Sequence, residues 1–237
     1  MDLLTNIGVV FLAALIHANF QLPLGCFILL SRDRIRRRKS KTHSSSPSGS
    51  FIAGIGITTM LLIFTLNFLL NNLFNDGIPA WLVFVEAGIL FCLAITIWSI
   101  YYRRGHGTQL WIPRGMANSL ETRSFGARSD TDAFGLGVMS IVCELPLSFI
   151  LIFVASSNII ALPSSWQLLV SALYVIAIIT PALIASQIIT RSSNLSRVQK
   201  WRESNKTFTL FILVFGFFII SAYTIVRCVP PIMEIFP

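Results

Sequence analysis

The chain has 237 residues, of which 54% are hydrophobic and only 12% are charged, and its mean hydropathy is +0.76. That balance leaves too little polar surface to coat a water-soluble globule of this size, which excludes the soluble globular class. The net charge of +8 would otherwise favour a nucleic-acid partner, but the basic residues lie in three segments between apolar runs, so we expect no nucleic acid.

Six apolar runs of roughly 20 residues are long enough to cross a membrane as helices. No run alternates between apolar and polar residues as a strand would. We therefore predict an all-α, polytopic membrane protein with six transmembrane helices. The predicted spans, in chain order, are residues 7–30, 51–73, 80–101, 134–156, 166–189 and 207–229.

The basic residues are distributed unevenly among the predicted loops. All but one of the 18 Lys and Arg residues lie between spans one and two, three and four, or five and six, whereas residues 71–79 and 157–165 contain none. Because cytoplasmic loops carry an excess of Lys and Arg, we predict both termini outside. We expect a multi-pass protein of the plasma membrane, with the lipid bilayer as a partner.

The first span has three polar residues near its midpoint, His17, Asn19 and Gln21, followed by Pro23. Polar residues at that depth face a bundle interior or a cavity rather than lipid. Two interpretations stay open, since these residues could hydrogen-bond neighbouring helices and only stabilise packing, or line a transport site.

The longest polar segment, residues 103–133, is predicted to be a cytoplasmic loop. His106 has no cysteine, serine or carboxylate partner at a recognisable spacing, so no catalytic residue is assigned and an enzyme is the less favoured class. The four cysteines lie in four different spans without metal-ligand spacing. We therefore expect no cofactor and assign no metal site.

A carboxylate and a proline, Glu144 and Pro146, stand in the middle of the fourth span. At that depth Glu144 must be neutralised, paired or hydrated, while Pro146 removes one helix hydrogen bond and frees the carbonyl of Val142. Another proline, Pro181, lies near the middle of the fifth span. We predict helix breaks at Pro23, Pro146 and Pro181.

The first and fourth spans share a pattern. A shift of 123 positions (144 − 21) superposes Gln21 on Glu144 and Pro23 on Pro146. The same shift aligns a stripe of polar or small residues at i, i+3 or i+4 spacing, which is one helix face. The paired positions are Ala14 with Gly137, His17 with Ser140, Gln21 with Glu144 and Gly25 with Ser148.

Because the two spans cross the membrane in opposite directions, the pattern predicts a 3+3 inverted repeat. Its halves are residues 1–102 and 134–237, joined by the loop 103–133. A pseudo-two-fold axis in the membrane plane would bring both stripes to a common depth, where secondary transporters build their sites from broken helices. The predicted transport site consists of His17, Asn19, Gln21, Ser140, Glu144 and Ser148.

The fourth span resembles that of a known family. Residues 142–155, V-C-E-L-P-L-S-F-I-L-I-F-V-A, are similar to the second half of the CcdA/DsbD transmembrane thiol-reductant conduits, whose fourth helix carries P-C-x-x-P and an apolar run ending in Ala. The fifth span is similar to that family's Y-x7-P helix through Tyr174 and Pro181. The six-span inverted repeat is also similar to the wider LysE-type exporter superfamily.

The resemblance implies a redox role and a prokaryotic plasma membrane. In that family two cysteines, one per half, relay reducing equivalents from a thioredoxin-like protein in the cytoplasm to partners outside. By resemblance Cys143 would be one of the two. The position that matches the other is Phe20, so Cys26 is considered as a displaced partner.

Three functions therefore stay open. The favoured one is a transporter that moves a small solute or ion by alternating access, with Glu144 as a proton or cation site and the prolines as hinges. The second is a thiol/disulfide conduit that uses Cys143 with Cys26 and a thioredoxin-like partner. The third is an accessory membrane protein in which the polar stripe only packs helices.

Overall fold

The computed structural model is all-helical over the residues that it describes. Those residues are 3–20, 22–37, 47–74, 78–101, 118–120, 122–124, 127, 129–192, 200–201 and 204–233. In this part of the chain the long helices are α1 Leu3–Ala18, α2 Leu22–Arg37, α3 Pro47–Leu73, α4 Ala80–Tyr101, α5 Asp130–Ile160, α6 Ser164–Ser192 and α7 Lys206–Met233.

Five helices, α3 to α7, are long and apolar enough to cross a membrane. The first predicted span is not one helix, because α1 and α2 pass the same test only as a pair that is bent by 45° at a short break. Large apolar side chains remain exposed on the outside of the bundle, as lipid contact requires. Examples are Phe68, Trp81, Leu168 and Ile219. The fold is a polytopic bundle of apolar helices.

α5 begins before the apolar run because its first turn is capped. The Ser129 hydroxyl accepts a hydrogen bond from the Asp132 N–H at 3.0 Å, and the Asp132 carboxylate accepts one from the Ser129 N–H at 3.0 Å. This reciprocal capping box satisfies two N–H groups that the helix leaves unpaired. The helix therefore starts at Asp130 rather than at residue 134, and it continues to Ile160.

α5 is the central helix of the bundle. Among the described helices it contacts α1, α2, α3, α4 and α6, whereas α4 contacts only α5 and α7. α4 and α7 are joined by a hydrogen bond in which the Ser221 hydroxyl donates to the Ala87 carbonyl at 2.9 Å. The bent pair of α1 and α2 therefore packs against α5 and α6, at the centre of the bundle, while the α4–α7 pair lies beside it.

Two glycines allow α3 and α5 to approach closely. A Cβ added to Gly54 would overlap the carbonyl of Phe134, and a Cβ added to Gly137 would overlap the carbonyl of Phe51. A Cβ on Gly137 would also lie 3.2 Å from the Gly54 Cα. The small residues therefore set the distance between the two helices, as they commonly do inside membranes.

We expect Gly137→Ala to lower the free energy of unfolding by about 1–3 kcal/mol, the usual range for overpacking a close interface. The backbone atoms that the new Cβ would meet cannot rotate away. The matched control is Gly88→Ala on α4, where nothing lies within 4 Å of an added Cβ. Denaturant unfolding in lipid nanodiscs would measure both. Equal stability of the two variants would show that the α3–α5 crossing is not close.

Candidate functional site

The site lies at the break between α1 and α2. α1 ends in two tight turns, in which the Asn19 N–H donates to the Ile16 carbonyl at 3.1 Å and the Phe20 N–H donates to the His17 carbonyl at 3.0 Å. Pro23 stands in the first turn of α2, where its missing N–H costs no helix hydrogen bond. Gln21 lies outside the described residues.

His17 in the last turn of α1 is held by Tyr174 on α6. The imidazole Nδ1 and the Tyr174 hydroxyl are 2.9 Å apart, and both residues are buried. The Phe20 ring meets the imidazole edge to face, with the ring centroids 6.1 Å apart. These contacts fix the orientation of the ring, so that its other nitrogen, Nε2, points away from Tyr174.

His17 Nε2 faces the carboxylate of Glu144 on α5, with 3.9 Å between Nε2 and Oε2. That separation is too long for a hydrogen bond. Nε2 has no hydrogen-bond partner among the described residues, although the His17 side chain is fully buried. A buried acid and a buried base therefore face each other across a gap that a movement of about 1 Å would close.

The N-terminus of α2 also faces Glu144. The backbone N–H of Leu22, the first residue of α2, is directed at the Glu144 carboxyl group. A helix N-terminus carries a positive partial charge and unpaired N–H groups, so it stabilises a carboxylate or another anion. Glu144 thus contacts the first span on both sides of its break, through His17 before it and Leu22 after it.

Other predicted site residues bond to their own helices. The hydroxyl of Ser140 donates to the Gly137 carbonyl at 2.7 Å, and that of Ser148 donates to the Glu144 carbonyl at 3.2 Å. The Asn19 amide donates to the Leu15 carbonyl at 2.7 Å. Ser140 and Ser148 are buried on the Glu144 face of α5, but their donor protons are used by the backbone.

The remaining prolines lie within helices that continue past them. Pro146 is inside α5 and Pro181 is inside α6. The Thr180 hydroxyl donates to the Ile176 carbonyl at 2.6 Å, one residue before the Ala177 carbonyl that Pro181 leaves without its N–H. Of the three prolines, Pro23 is the one that stands next to a change of helix direction.

Two predicted redox residues lie close to this site. Cys26 on α2 and Cys143 on α5 are buried free thiols, and Cys26 is within electrostatic range of both Cys143 and Glu144. The Ser124 hydroxyl lies beside the Cys26 thiol. Within the described ranges no group of three or more His, Cys, Asp or Glu side chains could hold a metal ion.

Tyr174 is the residue of the cluster that the transport-site prediction missed. In the sequence it stood out only as part of the Y-x7-P resemblance. The available physical signal was a tyrosine hydroxyl in the middle of an apolar span, which needs a partner when it is buried. The identity of that partner depends on how α1 packs against α6, and this packing cannot be read from the sequence.

The cluster of His17, Glu144 and Tyr174, together with the N-terminus of α2, is the candidate functional site. It can bind a proton or a cation at Glu144, and it can hold an anionic group at the Leu22 N–H. In comparisons with known proteins, no family model, no curated protein and no solved structure matches the chain.

Proposed function

We propose that the protein is a transporter that moves a small solute or ion across the membrane by alternating access. The observation that carries this proposal is the buried pair of His17 and Glu144 at the break of the first span. Ionisable residues inside a membrane are costly, and they mark ion pathways and proton relays. A discontinuous helix whose N-terminus faces the site is the arrangement by which secondary transporters bind substrates and coupling ions.

The packing of the helices supports an inverted repeat as the basis of this mechanism. Exchanging the two halves replaces α1 and α2 by α5, α3 by α6, and α4 by α7. Under this exchange every pair of described helices in contact becomes itself or another pair in contact: α4 with α7 is unchanged, α3 with α5 becomes α6 with α1 and α2, and α1 with α7 becomes α5 with α4. A two-fold relation in the membrane plane requires this symmetry of contacts.

The site has a simple way to exchange a proton. The net charge of the pair is zero whether the proton is on Glu144 or on His17. Closing the 3.9 Å gap would let the pair share the proton, and a cation could bind the Glu144 carboxylate after the proton has left to water on the open side. The break between the end of α1 at Ala18 and the start of α2 at Leu22 would let the two helices move separately against α5, as a hinge would.

The proposed orientation follows from the charges. The segments that join the spans at one side of the bundle contain all the Lys and Arg residues except Arg227, so that side faces the cytoplasm and α1 begins outside. The proposed location is the plasma membrane. The CcdA and LysE resemblance of the second half is compatible with such an inverted repeat, and the family assignment remains a proposal that rests on residues 142–155, Tyr174 and Pro181.

Infrared spectroscopy of the chain in lipid tests whether Glu144 lies in an exchangeable site. The C=O band of a protonated carboxyl group should change with buffer pH and shift in D2O, and the part due to Glu144 should be absent in Glu144→Gln. If that band changes neither with pH nor in D2O, the Glu144 carboxyl group does not exchange protons with water. Glu144 would then only pack helices, and the proposal fails. The matched control is Glu86→Gln on α4, which is also buried but lies on a helix that contacts neither α1 nor α6 in the described structure.

A thiol/disulfide conduit is the second candidate, because the fold brings Cys26 near Cys143. In this reaction the two thiols would lose two electrons and two protons to form a disulfide, while a disulfide on a partner protein outside is reduced to two thiols. A thioredoxin-like protein would then restore the thiols from the cytoplasm.

Thiol alkylation followed by a gel shift tests the conduit. If the protein is a thiol/disulfide conduit, mild oxidation should protect Cys26 and Cys143 together from alkylation. Cys143→Ser should then leave Cys26 reactive. Cys92, which is exposed on α4, serves as the internal control for reagent access. If Cys26 and Cys143 never protect each other, the relay is excluded.

A further inference from the structure

A second polar layer lies on the same helix faces as the candidate site. On α1, the residues Asn6, Val10, Ala13 and His17 recur at i, i+3 or i+4 spacing and form one buried stripe. On α5, the buried stripe that starts at Glu144 and runs toward the end of the helix consists of Glu144, Ser148, Leu151, Ala155 and Asn158. Each stripe begins and ends with polar residues, and two apolar residues lie between the outer asparagine and the next polar residue of each stripe.

The contact between His17 and Glu144 fixes the register of the two stripes, because it places these residues at one height. Consecutive spans run in alternate directions, so α1 and α5 are antiparallel. Seven residues farther along each stripe, Val10 is level with Leu151, about 10 Å from the central pair. Both side chains are fully buried, at 1% and 0% exposure. Two fully buried apolar side chains therefore lie between the height of the central pair and the proposed outer surface.

Beyond that barrier Asn6 is level with Ala155, about 16 Å from the central pair. Asn6 is only 2% exposed, yet its carbonyl oxygen has no hydrogen-bond partner in the described part of the chain. Asn158 lies one turn farther along the α5 stripe, about 4.5 Å from Asn6 in height. Its amide N–H donates to the Val154 carbonyl at 2.8 Å.

The chemistry of this layer favours a positively charged ligand. A buried amide oxygen without a partner is costly, and it is satisfied by a donor or a cation. At the same height, on a neighbouring face of α5, the buried Ser156 hydroxyl also has no partner among the described residues. The loop sequences proposed for this side, 71–79 and 157–165, contain Asp76 and no Lys or Arg, so they would not repel a cation.

We propose that Asn6 and Asn158 form a second binding station, for a monovalent alkali cation or for the ammonium group of a small solute. Val10 and Leu151 separate this outer station from the His17–Glu144 pair. The inference rests on the proposed function for the route that connects the two stations, but the binding itself does not require transport.

Thermal unfolding of the full chain in lipid nanodiscs tests the station. The Glu144→Gln protein is used throughout, so that the central pair does not contribute. Sodium chloride and methylammonium chloride are each compared with choline chloride at equal concentration, because choline is much larger than either cation and its nitrogen carries no N–H donor. We expect at least one of the two small cations to raise the Tm by mass action. Sodium alone would indicate an alkali-cation station, and methylammonium alone an ammonium station.

Substitutions decide whether Asn6 is the ligand. Asn6→Leu should abolish the Tm shift, and Asn6→Asp should enlarge it, because a carboxylate attracts a cation more strongly than an amide does. The matched control, Asn72→Leu, changes an exposed asparagine near the end of α3 and should keep the shift. The proposal is overturned if neither cation shifts the Tm, if the shift persists in Asn6→Leu, or if Asn6→Asp leaves it unchanged. Failure here with an exchangeable Glu144 carboxyl would reject the outer station and keep the proposed function.

Discussion

Glu144→Gln should abolish proton movement through the protein and leave the folded chain in the membrane. Glutamine has the shape of glutamic acid and can still accept a hydrogen bond from the Leu22 N–H. It cannot bind or release a proton. The purified chain would be placed in liposomes that contain a pH-sensitive dye, and a potassium diffusion potential would drive protons inward. We expect the rate of acidification to fall to that of protein-free liposomes.

The control for this experiment is Glu86→Gln, which makes the same chemical change in a second buried glutamate on α4. Because α4 contacts neither α1 nor α6 in the described structure, we expect acidification at the wild-type rate. A Glu144→Gln protein that acidifies the liposomes as fast as the wild type would remove Glu144 from the transport mechanism.

His17→Leu should destabilise the bundle, and adding Glu144→Leu should restore the part of the loss that comes from Glu144. The single substitution removes the base that faces the Glu144 carboxyl and the partner of the Tyr174 hydroxyl. Leaving a buried polar group without its partner typically costs about 1–3 kcal/mol, whereas replacing both members of a buried pair by apolar residues is often neutral or stabilising. The two substitutions should therefore be strongly non-additive.

A double-mutant cycle of unfolding free energies in nanodiscs measures this coupling. The reference pair is His17→Leu with Glu86→Leu, whose effects should add, because the two residues lie on helices that do not touch in the described structure. Additive effects for His17 and Glu144 would mean that the two side chains do not interact, and the cluster would then lose its acid–base character.

The helical class and the presence of five or six apolar helices long enough to span a membrane could be predicted from the sequence, because both follow from composition and from the length of apolar runs. The burial of Glu144 away from lipid could be predicted too, since a carboxylate in an apolar run is costly wherever the helix packs. The break near Pro23 also had a local signal. It combines a proline with three polar residues, all within one turn or two of the point where α1 ends.

The partners of Glu144 could not be predicted, because they depend on packing between distant segments. Tyr174 is 157 positions from His17 in the chain and reaches it only because α1 lies against α6. The serines of the predicted stripe were assigned to the site by their helix face, which is correct for burial, but local geometry lets their hydroxyls donate to their own helix carbonyls. The effect of each proline on helix direction could not be predicted either. α5 and α6 continue past Pro146 and Pro181, whereas the first predicted span bends.

Side-specific labelling of Ser148→Cys tests the central claim most directly. Ser148 is fully buried one turn from Glu144, and the four native cysteines would be replaced by serine. A membrane-impermeant thiol reagent would be applied to right-side-out and to inside-out vesicles under opposite pH gradients. Alternating access predicts labelling from one side under one gradient and from the other side under the reverse gradient. Labelling from neither side, or from both sides under the same gradient, would contradict it.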